Sequence, residues 1–189
     1  MHVRTTVAVA FALTAAPALA QVQLAQFAGQ LPQESLGDAL AGLGDLDGDG
    51  LPDFVAGAPF HPNNTIEPGR AYVRRGFDAA PIRMLVGNFG GDDFGFAVAD
   101  VGDVDGDGVH DVLVGAPDLL SGGGHDFAGT AGSVELFSGA SGAELLHLDG
   151  DLAFDMFGIS VAGLDDLDGD GVPDFAVGAV GFDGGGPNR

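Results

Sequence analysis

The chain has 189 residues, 46% of them hydrophobic, and 28 acidic residues against six arginines and no lysine give a net charge of −22. This acidity argues against nucleic acid and anionic membrane surfaces as partners and favours cations. Because there is no cysteine, a disulfide framework is excluded, and the 34 glycines favour short strands joined by turns over long helices.

The first 20 residues have the pattern of a signal peptide. A short basic start, "MHVRTT", precedes the apolar run "VAVAFALTAAP" and a small-x-small sequence that ends at Ala20. The apolar run is shorter than the roughly 20 residues that a membrane-spanning helix needs. We therefore expect cleavage after Ala20 and a secreted, cell-surface or periplasmic product. Residues 21–35 follow as a leading strand, "QVQLAQFAG", and a linker.

One pattern then occurs three times. The stretches "GDLDGDGLPDF", "GDVDGDGVHDV" and "DDLDGDGVPDF" begin at Gly44, Gly102 and Asp165, each between two short runs typical of strands. Two more strand-like runs, such as "GSVELFSG" and "GAELLHLDG", complete each of the first two units. The sequence thus predicts an all-β fold, a partial β-propeller of four-stranded blades. The predicted units are 36–93, 94–156 and an incomplete 157–189.

Each loop concentrates like charge around a glycine. Counted from its first aspartate, carboxylates stand at positions 1, 3, 5 and 9, position 6 is glycine, and position 7 offers a backbone carbonyl. Such an all-oxygen anionic turn is typical of a hard-cation site, and its ligand count favours Ca²⁺ over Mg²⁺. We predict three Ca²⁺ sites, with these ligands: Asp45, Asp47, Asp49, Leu51, Asp53; Asp103, Asp105, Asp107, Val109, Asp111; Asp166, Asp168, Asp170, Val172, Asp174.

The surroundings of the loops indicate their type. An EF-hand needs a bidentate glutamate at position 12, where these loops have Ala56, Val114 and Val177. The Phe-Gly opening, the Asp-x-Asp-Gly-Asp-Gly-x-x-Asp loop and the Gly-Ala-Pro close instead resemble FG-GAP repeats. These build the seven-bladed β-propeller of integrin α chains and occur in secreted bacterial proteins and in glycosylphosphatidylinositol-specific phospholipase D. The resemblance begins at Leu36, which replaces the first phenylalanine, and Val180 replaces the last proline. It implies that each calcium loop joins the first two strands of a blade.

Calcium is expected to be structural, because four carboxylates at short range oppose closure of the turn until an ion binds. The resemblance implies an extracellular binding or adhesion scaffold, with an extracellular protein or glycan as its partner. Two alternatives stay open. The chain could be the propeller portion of a secreted phospholipase-type hydrolase whose catalytic domain is elsewhere, or a self-assembling surface or matrix protein.

No catalytic constellation is evident, so we expect no enzymatic activity. The sequence lacks a Gly-x-Ser-x-Gly elbow and a His-Glu-x-x-His motif, and its histidines are scattered. The loops at 59–69 and 117–132 are the best candidates for ligand contact. The residues of interest there are Phe60, His61, His125 and Phe127, and Asn63, which begins a glycosylation sequon.

The chain is short for a closed propeller. At about 60 residues a unit, the four blades that closure needs would take roughly 240 residues. We therefore expect a fragment of a longer product, or a segment that closes its ring through self-association.

Overall fold

A computed structural model describes residues 6–11, 22–30, 34–60, 67–119 and 130–181. Within these ranges it has twelve β-strands and no helix, which confirms the all-β prediction. The strands are β1 (Thr6–Phe11), β2 (Val22–Ala28), β3 (Leu40–Gly42), β4 (Phe54–Ala58), β5 (Arg70–Arg74), β6 (Pro81–Val86), β7 (Ala97–Asp100), β8 (Val112–Ala116), β9 (Ser133–Phe137), β10 (Glu144–Asp149), β11 (Phe157–Gly163) and β12 (Phe175–Ala179).

Three antiparallel sheets follow one another along the chain from β3 onward, and the bounds of the repeat units stay a prediction. The first has the order β3–β4–β5–β6, the second β7–β8–β9–β10, and in the third β11 pairs with β12. Each strand therefore pairs with its neighbour in the chain, as in a propeller blade. The four strands predicted for each of the first two units are all present.

Burial changes across each sheet. The second strands, β4 and β8, are buried along their whole length, whereas β10 at the rim of the second sheet is largely exposed. The sequences "FVAGA" and "VLVGA" carry apolar residues on both faces, as a strand covered on both sides requires. The sheets therefore lie face to face, with their fourth strands outermost.

The hydrophobic core is divided between these layers. The largest cluster joins the first sheet to the second, where the rings of Phe94 and Phe137 meet edge to face at 5.9 Å. A second cluster, around Leu113 and Leu136, is packed against partly buried residues of the third sheet. Each fully buried side chain of this size contributes about 1.5–3 kcal/mol. Sheets stacked face to face in chain order make this segment a partial β-propeller.

Two glycines of the repeat set the distance between neighbouring sheets. A Cβ on Gly57 would lie 1.9 Å from the carbonyl oxygen of Gly95, and one on Gly115 would lie 2.0 Å from that of Gly158. Gly95 and Gly158 also have positive φ angles, of 93° and 91°. The Phe-Gly of one unit thus packs its backbone against the Gly-Ala of the unit before it. Both motif glycines are explained by this contact.

A pair of strands precedes the first sheet. β1 pairs with β2, and Phe27 of β2 packs with Phe54 and Tyr72 on the face of the first sheet turned away from the second. The guanidinium carbon of Arg74 lies 4.6 Å from the centre of the Phe27 ring. β1 falls inside the segment predicted to be a signal peptide. Cleavage after Ala20, which stays a prediction, would remove β1 and keep β2.

Among the residues that the structure describes, no helix is long and apolar enough to cross a membrane.

Candidate metal centre

Each aspartate loop joins the first strand of a sheet to its second, as the family resemblance implied. The first loop lies between β3 and β4, the second between β7 and β8, and the third between β11 and β12. Backbone hydrogen bonds close the base of the first loop, from Leu43 N to Asp53 O at 2.8 Å and from Asp53 N to Gly44 O at 3.1 Å. All three loops are therefore at the same end of their sheets.

The first aspartate organises the turn. Asp45 Oδ1 accepts hydrogen bonds from the amides of Gly48 and Asp49 at 2.8 and 3.1 Å, and its Oδ2 accepts one from Gly50 at 2.7 Å. Asp103 and Asp166 accept the same three bonds in their loops. These local side chain-to-backbone bonds wrap the loop around the first carboxylate.

Two glycines in each loop are required by backbone angle. Gly48 and Gly50 have φ angles of 80° and 87°, and a Cβ on either would meet no atom within 4 Å. Space is therefore available and the left-handed conformation alone favours glycine. The other two loops repeat both positive angles. The sequence identified the role of position 6, but the equal role of position 4 was missed.

The ninth aspartate ties the loop to the end of the third strand. Asp53 is 3% exposed, and its two carboxylate oxygens accept hydrogen bonds from the amides of Leu46 and Gly76. Asp111 is fully buried and has the equivalent pair of bonds. Burial raises the pKa of both carboxyls, the amides oppose that rise, and neighbouring loop aspartates add to it. A cation beside these two carboxylates would offset the free-energy cost of burying their charge.

The loops bring carboxylate oxygens within reach of one ion. One oxygen from each of three aspartates lies within 4.8 Å of the others, at positions 1, 3 and 9 in the first two loops and at 1, 3 and 5 in the third. The groups are Asp45, Asp47, Asp53; Asp103, Asp105, Asp111; and Asp166, Asp168, Asp170. All of the predicted ligands stay predictions, and those outside these groups are Asp49, Asp107 and Asp174 and the carbonyls of Leu51, Val109 and Val172. With oxygen donors only, the groups fit a hard divalent cation.

The first two loops differ in the side chain that follows their third strand. Arg75 places its Nε 2.7 Å from Asp47 Oδ2 and 3.7 Å from Asp49 Oδ2. The equivalent residue of the second unit is Ser138, whose hydroxyl lies 3.4 Å from Asp107 Oδ2. The first loop thus has a protein cation at its edge, where the second has a neutral donor.

Comparison with known proteins assigns the repeat. The family described as FG-GAP repeat matches residues 36–73, which contain β3, β4 and the first aspartate loop. The chain is an FG-GAP repeat protein. It is 36% identical over 157 residues to integrin alpha-5 of Xenopus laevis, 36% over 158 residues to integrin alpha-E of Homo sapiens, and 34% over 139 residues to integrin alpha-V of Gallus gallus. These matches cover 74%, 72% and 72% of the FG-GAP chain, which spans only 14%, 13% and 13% of the relatives' own length.

Some residues singled out in the FG-GAP sequence lie outside the described ranges. These are His61, Asn63, His125 and Phe127. Phe60 is half-buried at the end of β4. His110, at position 8 of the second loop, is exposed, and its Nδ1 lies 2.9 Å from both carboxylate oxygens of Asp100.

Sequence reasoning missed a buried acidic residue that lies two positions before the Phe-Gly or Leu-Gly pair at the start of each unit. Glu34, Asp92 and Asp155 are 2%, 9% and 3% exposed. The residue after each of them has a positive φ angle. Alignment of the three units on their Phe-Gly or Leu-Gly pairs would have found this acid.

The end of the second sheet opposite its aspartate loop also contains buried acidic residues. A cavity of 370 Å³ there is lined by Phe89, by the buried residues Asp92 and Asp118 and by the exposed Asp149, among others. Burial, as the largest cause, raises the pKa of both Asp92 and Asp93 to about 6.

Glu135 on β9 is buried near this cavity. Burial first, then the charges of Glu144 and Asp92, raise the pKa of Glu135 to about 7, while His147 and the Asn88 amide act to lower it. The sequence did not connect Glu135 with His147, since they belong to different strands.

Proposed function

We propose that this chain is a calcium-stabilised FG-GAP propeller segment that acts as an extracellular adhesion or binding scaffold, with no catalytic role of its own. The observation that carries the proposal is that each of the three loops brings three aspartate carboxylates close together. An acidic turn that was only solvated would not need the same two glycines and the same backbone hydrogen bonds in all three loops, or a buried ninth aspartate in the first two. The likeness to integrin α chains supports the adhesion role.

Calcium would stabilise the fold through the loops. The ninth aspartate joins each of the first two loops to the third strand, so an ion on its carboxylate would hold three strands of the sheet together. Because the unfolded chain has no assembled site, binding adds to the free energy of unfolding. At a calcium concentration 100 times the dissociation constant, each site would add about 2.7 kcal/mol.

The ligand-contact role is proposed for the opposite end of the sheets. The ends of the loop at 117–132, including Asp118 and Thr130, line the 370 Å³ cavity there. Thr130 donates hydrogen bonds to the Asp118 carboxylate through its amide and its hydroxyl, which fixes the base of that loop. A rigid base under a long loop suits a binding surface.

The test is unfolding of the full chain, followed by circular dichroism in about 1 mM calcium, the upper end of the affinity range of extracellular modules, and in excess chelator. We expect a higher melting temperature with calcium, and about three ions bound per chain by equilibrium dialysis. Asp103→Asn should remove one ion and part of the stabilisation. Asp151→Asn makes the same charge change at an exposed residue outside the loops and should leave both unchanged.

Identical melts with calcium and with chelator would refute the structural role. Equal calcium binding by Asp103→Asn and the parent chain would refute the assignment of the loop ligands. Magnesium at the same concentration should give a smaller rise, because a multiply carboxylated, flexible loop suits the larger ion.

A further inference from the structure

The second unit replaces a hydrogen-bonded tyrosine and carboxylate of the first unit by two acids. In the first sheet, the Tyr72 hydroxyl donates to Glu34 Oε2 at 2.9 Å, and both side chains are buried. The strand register places Glu135 at the position of Tyr72, and Asp92 takes the place of Glu34 two residues before the opening pair. Where the first unit has a donor and an acceptor, the second has two acceptors unless one acid carries a proton.

Glu135 lies among buried groups that leave its oxygens unpaired. It is fully buried, and neither carboxylate oxygen has a hydrogen-bond partner among the described residues. The Asn88 amide faces it without meeting hydrogen-bond geometry, and the residue paired with it on β8 is the apolar Val114. Asp92 Oδ2 is likewise buried and unpaired within the described ranges. Because a buried charged carboxylate without a partner is costly, a proton on this group lowers its free energy.

His147 offers that proton a second place to bind. It is directly opposite Glu135 in the register of β9 and β10, and its Nδ1 lies 3.9 Å from Glu135 Oε1. His147 Nε2 lies 3.0 Å from Asp149 Oδ1, and because a carboxylate only accepts, Nε2 carries a hydrogen. Nδ1 is buried and has no hydrogen-bond partner in the described part of the chain. One proton, on Glu135 or on Nδ1, therefore gives both side chains a partner.

The charges that act on Glu135 come from β10 and from the segment between β6 and β7. A bulge in β10 brings Glu144 to the side of His147, with its Oε1 4.0 Å from Nδ1. Burial first, then the charges of Glu144 and Asp92, raise the pKa of Glu135 from 4.5 to about 7, while His147 and the Asn88 amide lower it. The proton is thus held up to neutral pH.

We propose that Glu135 and His147 share one proton that holds β10 against β9, and that loss of this proton releases β10. This strand is the outermost of its sheet, is largely exposed, contains a bulge and pairs with β9 alone among the described strands. It is therefore the part of the second sheet that opens at the lowest cost when an unpaired charge develops beneath it. Asn88 Nδ2 donates to Glu144 Oε2 at 3.1 Å, so release of β10 also frees the segment between β6 and β7.

The proton-sharing pair lies beside the 370 Å³ cavity at this end of the sheet. Phe89 and Asp149 line that cavity, and the Phe89 ring meets the His147 ring edge to face at 6.5 Å. Movement of β10 would therefore change the shape of the cavity, whether or not a ligand binds there.

The sign of the pH dependence follows from the raised pKa of Glu135. Its stabilising contribution is fully present below about pH 4.5, the ordinary value, and is lost as the pH rises through about 7. The rim of the second sheet should thus be closed in mildly acidic solution and loosened in mildly alkaline solution.

The test is a pH titration of the full chain in about 1 mM calcium, followed by nuclear magnetic resonance of the Glu135 carboxyl carbon and the His147 ring nitrogens. We expect both to change with one midpoint near pH 7. Hydrogen-exchange protection of the β10 amides, corrected for the intrinsic rates, should fall about tenfold or more between about pH 6 and about pH 8.

Three variants separate the contributions. Glu135→Gln is neutral at every pH, so β10 should stay protected at both pH values. His147→Gln should move the Glu135 midpoint up, because the imidazole lowers that pKa, and Glu144→Gln should move it down, because the Glu144 charge raises it. Glu144 is partly exposed, so its variant tests the proposal even if a change at Glu135 prevents folding.

His110→Gln is the matched control. His110 also contacts an aspartate, Asp100, but lies on the second aspartate loop, so the Glu135 midpoint should be unchanged. Circular dichroism verifies that each variant folds. A Glu135 midpoint below about pH 5 would overturn the proposal. So would β10 protection that falls equally in Glu135→Gln and in the parent chain, or midpoints that move in the same direction in His147→Gln and Glu144→Gln.

Discussion

Gly115 gives a direct test of how the sheets are spaced. Its missing side chain leaves room for the Gly158 carbonyl oxygen, which would lie 2.0 Å from a Cβ. In Gly115→Ala that oxygen has to move by more than about 1 Å to reach ordinary contact. Such overpacking costs about 1–3 kcal/mol, and a backbone obstacle places the cost at the upper end. Alanine also restricts the backbone of the unfolded chain more than glycine does, which by itself stabilises the folded state by about 0.4–1 kcal/mol.

The expected net loss is therefore about 2 kcal/mol, or about 4–8 °C in melting temperature for a chain of this size. Urea and thermal unfolding of the full chain, followed by circular dichroism, would measure it. Gly178 is the matched control, since it holds the same repeat position. There a Cβ would come closest to Ser160 Oγ, at 2.3 Å, a side-chain atom that can rotate away. Gly178→Ala should therefore cost far less.

The reasoning fails if Gly115→Ala is as stable as the parent, or if Gly178→Ala is equally damaging. The first result would mean that the sheets can separate without loss. The second would mean that alanine harms the strand itself, independently of the neighbouring unit.

Two further predictions concern the charged groups. The Arg75 guanidinium competes with calcium for the aspartates of the first loop, so Arg75→Ser should raise the calcium affinity of that loop about two- to fivefold. Ser138→Arg should lower the calcium affinity of the second loop. Isothermal titration would measure both, and unchanged affinities would rule out the competition. Asp93→Asn should stabilise the chain at pH 7 by on the order of 2 kcal/mol and hardly at all at pH 4. The pKa of Asp93 is raised to about 6, first by burial, so its stabilising contribution is fully present below about pH 4 and is lost as the pH rises through about 6. Unfolding at a series of pH values would show this, and a constant difference between Asp93→Asn and the parent would contradict it. Met156 holds the equivalent place in the third unit, so a neutral side chain is compatible with the turn.

Much of the fold could be predicted from the sequence, because its strongest signals are local. The alternation in "GSVELFSG" and the apolar run "VLVGA" correspond to β9 and β8. The spacing of aspartates and glycines fixed the position of each loop, since a turn of nine residues depends on its own backbone angles.

The contacts that the sequence left hidden join distant parts of the chain. Asp53 reaches the amide of Gly76, 23 residues later, because β5 ends beside the loop. Glu135 meets His147 through strand register, and Glu144 joins them only because a bulge adds one residue to β10. No local pattern predicts a bulge or the partner of a buried acid.

The contact between the motif glycines has a consequence for how such chains evolve. It is made by main-chain atoms, which every unit shares whatever its other residues are. A duplicated unit would therefore fit a neighbour at once, with no matching mutations on the other side. The rest of each blade is then free to diverge without altering the spacing of the sheets, as it has where Tyr72 in one unit corresponds to Glu135 in the next.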